Sequence, residues 1–189
     1  KCKYIESHGT EYIDLGYKNL YSYELKAQLV EAKSTFCIML ANGGSAGQYI
    51  GFGADSKWTL GSTFVFNTDN SSPAVVQVTF SASGVEATIN NETVSRSGTS
   101  ANFNFRLFTH TTVSTTYNSK AKLWYLKAYD GDTLVHHWIP CLDDNDVPCL
   151  YDLVGGQTYY NSGEGTLSYE IEPQPAEIWS CGEYSEVDD

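Results

Sequence analysis

The chain has 189 residues and a mass of 20.9 kDa, the size of one domain whose core can bury about 70% of the unfolded surface. Hydrophobic residues at 41% and charged residues at 18% exclude disordered, collagen-like and coiled-coil chains. Lys and Arg number 11 against 23 Asp and Glu, a formal charge of -12 that repels phosphate backbones and anionic lipid heads, so neither nucleic acid nor a membrane surface is expected as a partner.

The opening Lys1-Cys2-Lys3-Tyr4 has neither Met nor an apolar signal core, as expected of a processed chain or an excised segment. No apolar run approaches the roughly 18 residues of a membrane span. Ser22 to Lys33 has helix-forming composition, but Tyr23, Leu25, Ala27 and Leu29 recur at every second position and predict a strand. Cys37, within Thr35 to Leu40, reads as a small buried hydrophobe. Gly43-Gly44-Ser45-Ala46-Gly47 satisfies the Gly-x-Ser-x-Gly pattern, yet a strand rather than a helix is predicted after it at Gln48 to Phe52, which makes it a hairpin loop and not a nucleophile elbow. Alternation at Val76-Val78-Phe80, Val85-Ala87-Ile89 and Phe103-Phe105-Leu107 predicts further strands, with turns at Asp69 to Pro73, Ser83-Gly84 and Asn90-Asn91. Ala121 to Tyr129 is apolar at both parities and continues across Asp130-Gly131-Asp132 into Leu134 to Ile139, which predicts a central hairpin covered on both faces. His136 and His137 adjoin on its second strand and therefore point to opposite faces. The expected organisation is a domain over residues 1–172 and an acidic tail or linker over 173–189 carrying Glu183, Glu186, Asp188 and Asp189.

A dozen or so short strands with very little helix predict an all-β fold, a two-sheet antiparallel β-sandwich of jelly-roll type, because a single sheet would leave one apolar face wet. The five cysteines are an odd count with no metal spacing. Cys141 and Cys149 flank an Asp-rich turn that a disulfide would close, and Cys2 and Cys181 lie near opposite chain ends, which often meet in a sandwich. Asp143, Asp144 and Asp146 offer oxygens to calcium, the one cofactor with any claim here; the other reading is a solvated turn whose side chains cap its own backbone. A sandwich glycosidase needs two carboxylates about 5 to 9 Å apart, set out on one strand face as Glu-x-Asp-x-x-Glu, and no such run exists, so no catalytic activity is expected. Sugar binding without catalysis requires aromatic faces and a few polar groups. Tyr49, Trp58, Asn67, Asp69, Arg106 and His110 are the expected ligand-binding residues; Tyr49 and Trp58 read equally as core and Arg106 as a cross-strand ion pair.

Two stretches resemble a known family. Tyr4-Ile5-Glu6-Ser7-His8-Gly9-Thr10-Glu11-Tyr12-Ile13-Asp14-Leu15-Gly16-Tyr17 resembles the "YIESxGTQYIDTGY" opening strand of concanavalin A-like, laminin G-like domains. The run from Lys122 to Val135, then Trp138 to Cys141, Leu150-Tyr151-Asp152-Leu153-Val154 and Tyr159 to Leu167, is similar to their closing block. His136-His137 stands where Arg-Asp is usual, Cys149 where Gly is usual, and the Asp143 to Asp146 loop is unusually acidic; the last two changes favour a Cys141 to Cys149 bridge. The resemblance implies a jelly roll of the kind found in proteins of gut bacteria and their phages, a fold that hosts lectins, carbohydrate-binding modules, glycosidases and structural spacers. The expected function is a non-catalytic module that binds cell-surface or host glycans, extracellular, on a phage virion appendage or a bacterial surface protein. The alternative is a structural domain of an oligomeric virion or surface assembly, with a glycoside hydrolase third. Asn70-Ser71-Ser72 and Asn91-Glu92-Thr93 satisfy the glycosylation sequon, which matters only in a glycosylating host.

Overall fold

The computed structural model describes residues 1–32, 36–42, 48–61, 64–68, 70, 72–98, 103–109 and 117–173. Among these residues there is no α-helix, and the strands form two antiparallel sheets that pack as a sandwich. The larger sheet runs in the order β10 (Glu92–Ser97), β9 (Gly84–Ile89), β8 (Ala74–Ser81), β3 (Ser22–Glu31), β12 (Lys120–Asp130), β13 (Thr133–Leu142), β14 (Pro148–Asp152), β15 (Thr158–Tyr160). Two more strands, β1 (Cys2–His8) and β16 (Ser168–Ile171), complete it. β1 and β13 lie end to end along one edge of β12, β1 pairing with Lys120 to Leu123 and β13 with Leu126 to Asp130. β16 pairs in turn with β1 and sets Ile171 opposite Cys2. The smaller sheet runs β2 (Ile13–Asp14), β11 (Arg106–Leu107), β4 (Cys37–Ala41), β5 (Tyr49–Phe52), β6 (Trp58–Leu60), β7 (Phe64–Val65).

The local chemistry explains the hairpins. Asn90 and Asn91, both at positive φ, make the two-residue turn between β9 and β10, the mirror-image geometry that matches the twist of paired strands. Gly131, at φ 58°, does the same between β12 and β13. In β3 and β8 the predicted alternation holds, with Tyr23, Leu25, Ala27 and Leu29 and with Ala74, Val76, Val78 and Phe80 buried and the residues between them open. These side chains meet Met39, Leu40, Ile50, Phe52, Trp58, Leu60 and Leu107 of the smaller sheet in one core. Each fully buried aromatic or Leu stabilises the sandwich by about 1.5–3 kcal/mol.

Two expectations are corrected. Phe103 is half-exposed instead of sharing a strand face with Phe105 and Leu107. The ladder begins only at Arg106, while the Phe105 backbone bonds to Tyr17 and Leu15 instead. The central hairpin is not covered on both faces: Leu123, Leu126, Ala128 and Trp138 are buried on one side, and the opposite side of β12 and β13 is only partly shielded. The smaller sheet is the one covered twice. Every residue of β4, β5 and β6 is buried, and Ile38, Ala41 and Tyr49 form a second apolar cluster that Phe36 and Tyr117 cap by ring stacking.

Candidate functional site

The outward face of the larger sheet acquires its character from one irregularity in β12. Against β3, Leu123 pairs with Ala27 and Tyr125 with Lys26, so Trp124 is an extra residue with no partner. Such a bulge sends two successive side chains to one side. Leu123 and Leu126 remain in the core, and both Trp124 and Tyr125 emerge half-buried between them. The double-parity apolar run of the sequence is this bulge.

Around the two rings gather a third ring, Tyr4 from β1, and three cations, Lys26 from β3 and Lys122 and Lys127 from β12 itself. Tyr4 lies 5.3 Å from Trp124, with its ring tilted by 54°. Lys122 Nζ sits 4.3 Å over Tyr4 and donates to its hydroxyl at 3.0 Å, Lys127 Nζ sits 4.9 Å over Tyr125, and Lys26 Nζ sits 5.9 Å over Trp124. These are cation–π distances, and an outward ring bearing a Lys ammonium is an amphipathic platform. Glu24 accepts from Lys127 at 2.9 Å, and Glu6 lies 3.6 Å from Lys122. Burial pushes the Glu24 carboxyl up, but the hydrogen bond and charge of Lys127 outweigh it and hold it below its ordinary range. The same hydrogen bond, opposed by burial, raises Lys127. Burial, then the Lys127 charge, lowers His137 on the adjoining strand.

The platform runs into a groove of about 360 Å³ bordered by Ser22, Glu24, Gln77, Thr79, Tyr129 and Asp132. Thr79, whose hydroxyl is 3.0 Å from that of Ser22, also borders a second hollow of about 340 Å³ that extends over Ser81, Glu86, Ser95 and Arg96. Hydroxyls, an amide and carboxylates thus line an open depression beside aromatic faces, the mixture that sugar hydroxyls and pyranose rings require.

Beneath β13 the two histidines do point opposite ways. His136 is buried, and its Nδ1 donates to Asp152 at 2.7 Å; Asp152 is fully buried and also accepts from the backbone N–H of His137 at 2.9 Å and of Val154 at 3.1 Å. Burial raises the Asp152 carboxyl, and these donors overcome it, so the group titrates below its ordinary value of 3.8. Trp138 stacks on His136 at 4.8 Å and Tyr17 packs at 4.1 Å, its hydroxyl accepting from Tyr159 at 2.9 Å. The pair ties the hairpin to the loop after β14 and packs against the rings of Tyr17 and Trp138.

Of the six residues expected to bind ligand, the four that the structure describes do not converge. Trp58 is fully buried against Phe52 at 4.3 Å, and Tyr49 is 4% exposed in the second apolar cluster, so neither ring can meet a sugar. Arg106 pairs with Asp14 at 3.0 Å and lies 5.3 Å over Tyr12. Asn67 is exposed and bonds Glu92 through its backbone and side-chain N–H groups. Asp69 and His110 lie outside the described residues, as do Gly43 to Gly47, Cys181 and the tail from residue 174.

The Asp-rich loop is a capped turn. One Asp143 oxygen accepts from the N–H of Asn145 and of Val147, both at 2.9 Å, and the other accepts from Tyr160 at 3.1 Å. Among the described residues, Asp143, Asp144 and Asp146 do not join in a metal-binding cluster, and no other three His, Cys, Asp or Glu side chains do. Cys141 and Cys149 stand directly across from one another as thiols, their Sγ atoms 3.2 Å apart, and Cys2 and Cys37 are buried. Burial, then the neighbouring thiol, pushes Cys149 up to about 12.

No family model matches the chain, and no curated protein does. Among solved structures the chain is similar to the GlcNAcα1-4Gal releasing endo-β-galactosidase from Clostridium perfringens, at 11% identity over 92% of this chain and 62% of that one, with a TM-score of 0.29. The chain thus spans less than two thirds of that enzyme's length.

Proposed function

We propose that this protein is a non-catalytic glycan-recognition module that binds sugars on the outward face of its larger sheet. The observation that carries the reading is the β12 bulge, which delivers Trp124 and Tyr125 together to a half-open face where Tyr4 joins them. Partly open ring faces suit stacking on pyranoses, and Glu24, Gln77, Ser22 and Thr79 next to them serve hydroxyls. A glycosidase needs one carboxyl held protonated above its ordinary range. On this face Glu24 and Glu170 are shifted the other way, Glu24 by Lys127 acting against burial and Glu170 by its hydrogen bond from Lys3, so neither of these two suits the role of that acid. Within the sandwich class, the resemblance of residues 4–17 and 122–167 supports a concanavalin A-like jelly roll, and with it an extracellular setting on a virion appendage or bacterial surface.

A glycan array on the domain tests this. Saturable binding is expected, with a change in Trp fluorescence on titration, and Trp124→Ala abolishes both while the melting temperature stays within a few degrees. Chelator is expected to leave binding unchanged, because Asp143 is engaged in its own turn. An array dark for every glycan, with the domain folded, overturns the reading.

One observation favours a second reading, assembly. Tyr151, Leu153, Val154 and Tyr160 are exposed together at the β14–β15 end of the larger sheet, and such a group of apolar side chains suits a neighbouring subunit. A mass in solution that is a multiple of 20.9 kDa supports it.

A further inference from the structure

The chain is strongly acidic, yet nearly half of its cations lie on one face. Strands β1, β3 and β12 turn Lys3, Lys26, Lys120, Lys122 and Lys127 outward, five of the 11 Lys and Arg in the sequence. Four of them are within 4 Å of a carboxylate: Lys3 with Glu170, Lys120 with Glu31, Lys122 with Glu6 and Lys127 with Glu24. Lys26 is the exception among the described residues, its ammonium lying over Trp124 with no carboxylate partner.

We propose that the face selects acidic sugars, the carboxylate of a uronic- or sialic-acid residue drawing Lys26 Nζ off the Trp124 ring while the pyranose stacks on the indole in its place. This rests on the reading of that face as a glycan site. The discrimination follows from what each ligand displaces. A neutral sugar that covers Trp124 removes the Lys26 cation–π contact and returns nothing to the ammonium. An acidic sugar replaces that contact with a charge-assisted hydrogen bond, the stronger interaction. Lys122, Lys127, Lys3 and Lys120 already have carboxylate partners, so the selectivity resides in one side chain.

The test is an array that carries uronate- and sialate-containing glycans, each beside its carboxyl methyl ester, followed by titration of the best pair. The acid is expected to bind about tenfold more tightly than its ester, equivalent to roughly 1.4 kcal/mol. High salt shrinks the ratio. In Lys26→Met and in Lys26→Gln the ratio falls to about one, whereas in Lys120→Met, which removes an equal charge from a Lys already paired with Glu31, it persists. Equal binding of acid and ester by the native domain overturns the inference and leaves the platform standing. A ratio that survives in both Lys26 variants overturns the assignment to Lys26. Failure of every glycan, acidic or neutral, overturns the platform reading and the inference with it.

Discussion

Asp152 is the residue on which the hairpin, its following loop and the aromatic cluster all depend. Its carboxylate is fully buried and satisfied by two backbone N–H groups and His136, so removal leaves several buried donors without a partner. Asp152→Ala is expected to destabilise the protein by about 2–4 kcal/mol in denaturant titration, and Asp152→Asn, which keeps an acceptor, by less. Gly155 is constrained by the same group: a Cβ there would lie 2.5 Å from Asp152 Oδ2, so Gly155→Ala is expected to cost about 1–3 kcal/mol in the same assay. The pH dependence has a definite sign. Asp152, Glu11 and Glu24 all titrate lower in the fold than free, burial opposing and hydrogen bonds prevailing in each. The stability they supply is complete above their ordinary values of 3.8 and 4.5 and is lost as pH falls through the depressed folded values. His137 is depressed as well, by burial and then by Lys127, and its contribution is present above 6.5 and fades as pH falls through its lowered folded value. Melting temperatures are therefore expected to fall gently below neutrality and steeply below about pH 4; a flat profile down to pH 3 would contradict this account.

Strands were readable wherever one face is buried and the other open. β3 and β8 alternate cleanly because their inward side chains meet the core and their outward ones meet water. Where both faces are covered, as in β4, β5 and β6, that contrast vanishes, and the pattern does not separate the ligand-binding from the core reading of Tyr49 and Trp58, which are core. The platform was hidden for a different reason. Whether Ala121 to Tyr129 is buried twice or bulged depends on its register against a strand a hundred residues earlier, which no local pattern records. The bulge itself makes a sharp prediction. Because Trp124 has no partner on β3, deleting it restores regular alternation, Leu123 in, Tyr125 out and Leu126 in, whereas deleting Lys127 turns the rest of the strand inside out. Circular dichroism melts should show the first deletion folded and the second collapsed. The facing thiols of β13 and β14 differ in reach, Cys141 partly open and Cys149 buried with its thiol held protonated. Native alkylation followed by mass spectrometry is expected to label Cys141 well ahead of Cys149.

At the scale of the whole molecule the two sheets are unequal. The smaller is buried on both sides of β4, β5 and β6, and the larger keeps one broad face open, the face on which the proposed glycan site lies. Most pairings join distant parts of the chain: β1 with β12, β3 with β12, β3 with β8. Closing such separations is slow, and refolding is expected on the millisecond-to-second scale of sandwiches instead of the microseconds of helical bundles, as stopped-flow fluorescence of the four Trp would report. The pairing of β1 with β16 also settles how the domain meets mechanical load. Cys2 lies opposite Ile171 and Lys1 reaches Glu172 at 2.9 Å, so any chain before and after this domain leaves from adjacent points on one rim. Tension between those points acts along the inter-strand hydrogen bonds and peels them open in succession, beginning with that rim pair. A domain hung this way yields at low force by unzipping, while the rings and cations of its open face stay in place until the tear reaches Tyr4.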